Sequence, residues 1–98
     1  MLEGIMMQVL TERARQERLK KEGRFKYTPN EVPLVRSYAM LAEEMGEVAR
    51  GILAISGYVQ EELTIDDVRT ELIQVMAIAA AMVEGIETED PDRLVLAT

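Results

Sequence analysis

Along the middle of the chain, apolar residues recur at alternating intervals of four and three. Leu34, Tyr38, Leu41, Met45, Val48, Ile52 and Ile55 form one such series, which lays a single apolar seam along a helix from about Pro33 to Ile55. Ser56 and Gly57 end it, and YVQEELT reads as a loop. A further helix is predicted from about Ile65 to Glu87. Thr64 is placed to cap it, and Asp66 and Asp67 fall in the first turn, where the helix dipole favours negative charge. From Glu71 to Ile86 almost every position is apolar (ELIQVMAIAAAMVEGI), and a helix apolar all round is expected to be buried all round. Upstream, about Leu2 to Glu22 are strong helix formers and Gly23 is placed to stop them. The stretch GRFKYTPNEVP then connects, and Asp90-Pro91 begins a final turn or short helix. With no strand alternation and no internal repeat, the expected fold is all-α. It is a single-domain helical bundle over residues 1–98, with three main helices and a short C-terminal turn or helix.

Composition narrows the chemistry. A chain of 98 residues with 48% hydrophobic content, three prolines and six glycines suits an ordered domain. Its core is modest, however, and oligomerisation is a natural supplement. Apolar surface on more than one face of the second and third helices predicts at least a homodimer. The absence of cysteine and histidine removes thiolate ligands, disulfides and imidazole chemistry. The start, MLEGIMMQVLTERAR, lacks the features of a signal peptide. The longest apolar run, Val75 to Val83, is far short of the roughly 20 residues of a membrane span. A cytoplasmic protein with no membrane partner is expected.

Charge is unevenly placed. Residues 1–30 hold seven basic against four acidic side chains, whereas residues 31–98 hold four against fourteen, giving −7 in all. An acidic chain is a poor nucleic-acid binder, because phosphate neutralisation supplies most of that affinity. The basic cluster Arg13, Arg15, Arg18, Lys20, Lys21, Arg24 and Lys26 is interleaved with Glu12, Glu17 and Glu22. It reads as a solvated helix face, or as a surface that meets a small phosphorylated ligand or the acidic part of the same bundle.

The acidic residues carry the sharper signal. Glu43, Glu44 and Glu47 span an arc of about 100° on the second helix. Met40, Gly51 and Ala54 share that side, which suggests that it is covered. Gly46 inside the helix costs on the order of 1 kcal/mol relative to Ala, and implies a close helix crossing or the approach of a ligand. On the third helix, Glu71 projects along the stripe of Val68, Leu72, Val75, Ile78 and Met82, with Gln74 about one sixth of a turn away. If the two helices pack antiparallel, Glu71 and Gln74 face Glu44 and Glu47. A carboxylate in such a place needs a partner. That partner is either a hard divalent cation, for which oxygen ligands suit magnesium or manganese, or an arginine such as Arg24 or Arg50. A di-iron carboxylate bundle would call for Glu-x-x-His pairs, which a chain without histidine lacks.

The pattern E-E-x-x-E (Glu43, Glu44, Glu47) followed by E-x-x-Q (Glu71, Gln74), within LAEEMGEVARGIL and ELIQVMAIAAAMVE and after GRFKYT, resembles the MazG-like all-α nucleoside triphosphate pyrophosphohydrolases. The resemblance spans about residues 10–87. It implies a dimer or tetramer that binds Mg2+ (or Mn2+) between the two helices and cleaves a nucleoside triphosphate to monophosphate and pyrophosphate. By resemblance, Glu44, Glu47, Glu71 and Gln74 are metal ligands, with Gln74 standing in for the family's final Asp as a neutral, weaker oxygen ligand. Glu43 is a further ligand or positions the attacking water, and Arg24 and Lys21 are candidates for binding the phosphates. The family's basic, Asn-containing segment after the third helix has no counterpart in ETEDPDRLVLAT. The rival expectation is a non-catalytic helical module that keeps the fold and oligomerises or binds a nucleotide.

Overall fold

The computed structural model describes residues 1–24 and 33–88. Three helices account for nearly all of them: α1 (Leu2–Lys21), α2 (Leu34–Ile55) and α3 (Ile65–Thr88). The fold is all-α, with no strand among the described residues. The expected C-terminal turn at Asp90-Pro91, and all of GRFKYT beyond Arg24, lie outside them.

Helix ends fall where local chemistry puts them. Gly23 and Gly57 adopt φ of +78° and +84°, the left-handed conformation that glycine enters without a Cβ clash. At the end of α1, the Arg24 N–H donates to the Leu19 carbonyl at 2.8 Å and the Gly23 N–H to that of Lys20 at 2.9 Å. The same pair of bonds closes α2, from Tyr58 to Leu53 at 2.9 Å and from Gly57 to Ala54 at 3.1 Å. At the start of α3, Thr64 and Asp67 cap each other: the Asp67 N–H donates to Thr64 Oγ1 at 3.2 Å, and the Thr64 N–H to Asp67 Oδ2 at 2.7 Å.

The centre of the fold is α3, which packs against both α2 and α1, while α1 and α2 do not pack on each other. The α2–α3 crossing is tightest at Gly51, where an added Cβ would lie 2.9 Å from Val68 Cγ2. Gly46, expected to mark a close crossing or a ligand approach, has nothing within 4 Å of where its Cβ would be. Gly51 therefore has the crossing role. On α3, Ala77 and Ala81 are both fully buried, and small side chains let a neighbouring backbone approach. Arg13 ties α1 to α3. It is 9% exposed, and it donates to Glu84 Oε2 at 2.6 Å, to Glu17 Oε1 at 3.2 Å and to Gln16 Oε1 at 3.1 Å. One member of the basic cluster thus meets an acidic residue of the same fold, as a buried guanidinium must.

Two sequence expectations about burial need correction. The α2 seam is largely outside: Tyr38 is 65%, Met45 49% and Ile52 47% exposed. The side that meets α3 runs through Ser37, Val48 and Gly51, which are buried, and Leu41 and Glu44, which are half-buried. The two stripes share Leu41 and Val48 and diverge elsewhere by one residue, about 100° of helix rotation. Nor is α3 buried all round, since Leu72, Met76, Val83 and Ile86 are 37–53% exposed. Among the described residues α3 has two helical neighbours, α1 and α2, and part of its circumference is left uncovered by them. The radius of gyration, 14.9 Å, exceeds the roughly 12.6 Å of a compact chain of this length.

Candidate metal centre

Beside the Gly51–Val68 crossing, α2 and α3 bring three carboxylates together. Glu44 and Glu47 are one turn apart on α2, and Glu71 is one turn beyond Val68 on α3. Each offers an oxygen, and these atoms all lie within 4.8 Å of one another. Glu44 and Glu71 are half-buried and Glu47 is exposed. The close crossing at Gly51 is what lets them meet, because a side chain at that position would push α2 away from α3.

Among the described residues, the charges that act on these three carboxyls are those of other acids. Arg50, one of the two arginines considered for Glu71, pairs with Glu61 instead. The other, Arg24, approaches Glu22 at 3.9 Å. Neither of these two arginines is therefore the partner of Glu71. All three carboxyls titrate above the ordinary value of 4.5. For Glu44 the main cause is burial, reinforced by the charges of Glu47 and Glu43. For Glu47 it is the hydrogen bond to Glu71 and the charge of that group. For Glu71 it is burial again, followed by hydrogen bonding to Glu44. Each group is near enough to share a proton with another, and like charges this close resist joint ionisation.

Gln74, one turn after Glu71, reaches the same place. With its amide nitrogen turned toward the carboxylates it donates to Glu71 Oε2 at 3.0 Å and to Glu44 Oε2 at 3.2 Å. Glu43 is exposed and stands outside the converging group, and acts on Glu44 and Glu47 through its charge. Lys21 and Arg24 are exposed at the end of α1.

Two grooves flank the cluster, each of about 280 Å³. One, between α2 and α3, is lined by Glu47, Glu71, Asp67 and Arg50. The other, between α1 and α3, is lined by Gln8, Thr11, Arg15, Arg69 and Gln74, with Arg69 donating to Gln8 Oε1 at 2.6 Å and Arg15 to Glu12 Oε1 at 2.6 Å. Arg69 and Gln8 were not singled out in the sequence. Their spacing gives no sign of it, because the groove exists only once α1 packs on α3.

An oxygen-only set of three carboxylates from two helices fits a hard divalent cation such as magnesium or manganese, and gives a soft metal neither sulfur nor imidazole. Comparison with protein-family models, with curated proteins and with solved structures gave no match. Among the described residues, no helix is long and apolar enough to cross a membrane.

Proposed function

We propose that this chain is a magnesium-dependent nucleoside triphosphate pyrophosphohydrolase, with Glu44, Glu47 and Glu71 as its cation ligands and Mn2+ as an alternative metal. The observation that carries the proposal is the meeting of these three oxygens within 4.8 Å, where the charges of described residues that act on them are acidic. Carboxylates held in that way are relieved by protons or by a cation, and at neutral pH a divalent ion is the stronger remedy. The E-E-x-x-E and E-x-x-Q spacing points to the same chemistry by resemblance.

When bound, the cation supplies positive charge against the polyphosphate and makes a neighbouring water more acidic. Further counter-charge comes from Arg15 and Arg69, which line the groove that also contains Gln74. Lys21 is six residues beyond Arg15, about 9 Å farther along α1, and Arg24 lies beyond it, so these two would reach only an extended substrate. Glu43 stands next to Glu44 outside the ligand group, where a carboxylate can accept a proton from water attacking the α phosphorus as the bond to the β-phosphate breaks and pyrophosphate leaves.

The working unit is a homodimer or homotetramer in the cytoplasm. Its support is the exposed apolar row of α2 (Tyr38, Met45 and Ile52) and that of α3 (Leu72, Met76 and Val83), surface that a lone chain leaves to water.

Incubation with each nucleoside triphosphate and Mg2+, with pyrophosphate release as the readout, tests the activity. Turnover that disappears in Glu47→Ala and in chelator is the expected result. A folded, oligomeric protein that releases no pyrophosphate from any triphosphate would favour the non-catalytic module.

A further inference from the structure

Gln74 occupies the position from which a fourth carboxylate would complete the acidic cluster, and its amide offers two opposite chemistries there. The nitrogen carries two donors and the oxygen two lone pairs. Only one end can face Glu44 and Glu71. An inward oxygen adds an acceptor to a place already crowded with acceptors, whereas an inward nitrogen makes two hydrogen bonds, at 3.0 Å to Glu71 and 3.2 Å to Glu44. We propose that Gln74 is a positioning residue and not a cation ligand: its NH2 group ties Glu71 of α3 to Glu44 of α2, and leaves a three-carboxylate site for one divalent cation per chain. The inference rests on the cluster being a cation site.

The two accepting carboxylates come from different helices, so the tie fixes a separation that neither helix sets alone. Each accepted bond uses one carboxylate oxygen, Oε2 in both cases, and leaves the other available. Three ionised carboxylates carry a charge of −3, which one divalent ion brings to −1. A fourth carboxylate at position 74 would leave −2 and invite a second ion.

Two measurements on the full chain test this. In the first, the side-chain amide of Gln74 is followed by 15N and 13C NMR without metal and at Mg2+ saturation. Amide protons protected from exchange in both states, with an unmoved carbonyl carbon, are expected. Release of those protons together with displacement of the carbonyl carbon on adding Mg2+ would show ligation through oxygen and overturn the proposal.

In the second, Mn2+ is titrated calorimetrically into the wild type, Gln74→Leu and Gln74→Asp. The wild type should bind one ion per chain. Gln74→Leu should bind one about tenfold more weakly, as loss of a supporting hydrogen bond typically gives, and Gln74→Asp should admit a second. A Leu variant as tight as the wild type would refute the tie. A wild type that binds no Mn2+ at millimolar concentration would remove the cation site itself and the ion count with it. The tie is then judged on the metal-free spectrum, where unprotected amide protons refute it.

Discussion

Three carboxyl groups that all titrate above 4.5 make the stability of the metal-free protein depend on pH in a direction opposite to the usual acid effect. A carboxyl whose pKa is raised by folding binds its proton more tightly in the folded chain than in the unfolded one. Between the ordinary value and the raised one, the native state holds more protons, so stability falls as pH rises through that window. Without metal, the melting temperature should therefore climb as pH is lowered from neutrality toward about 5. Glu71→Gln should flatten that slope and raise the melting temperature at neutral pH, because it removes one charge while keeping the side chain's shape. Saturating Mg2+ should flatten it as well, with the cation in the protons' place. Thermal melts across pH, with and without Mg2+, measure all three effects, and a metal-free protein whose stability only declines on acidification would contradict them.

At the level of elements, α2 separates two properties that its sequence merges. Alternation at four and three locates the helix and its ends, and Gly23, Ser56-Gly57 and Thr64 mark boundaries that the structure keeps within a residue. Periodicity alone does not say which side of the helix meets α3. The apolar stripe through Tyr38, Met45 and Ile52 is the obvious candidate, yet α3 lies against the stripe of Ser37, Glu44 and Gly51, where smaller groups allow a closer approach. The same fact separates the two glycines of α2. Gly51→Ala drives a Cβ to 2.9 Å from the stiff, β-branched Val68, and should cost about 1–3 kcal/mol. By spreading Glu44 and Glu47 from Glu71 it should also weaken Mn2+ binding. Gly46→Ala meets nothing within 4 Å and should stabilise the helix by about 0.5–1 kcal/mol. Denaturant unfolding of the two variants reads both effects, and equal behaviour would deny Gly51 its role at the crossing.

For the whole molecule, the open order α1–α3–α2 leaves a small core. Val9, Leu19, Val48, Val68, Ala77, Ile78 and Ala81 are the buried apolar side chains among the described residues, while large apolar residues line the outside of every helix. The proposed oligomer covers that surface. Sedimentation at micromolar concentration should give a dimer or tetramer, and Met45→Glu with Ile52→Glu should shift it toward monomer; a wild-type monomer would contradict the assembly. The acidic residues of the candidate site were legible in the sequence because Glu71 lies on the apolar stripe of Val68, Leu72 and Val75, and a carboxylate there demands a partner. Arg15 was legible as part of the basic cluster, but Arg69 was not, since the two come together only through the packing of helices far apart in the chain. Nor was the burial of Arg13, whose partner Glu84 is 71 residues away. The most direct test of the site is an anomalous difference map from crystals soaked in Mn2+. It should show one strong peak at direct ligand distance, about 2.1 Å, from oxygens of Glu44, Glu47 and Glu71. A map with no peak between these three carboxylates would contradict the metal centre.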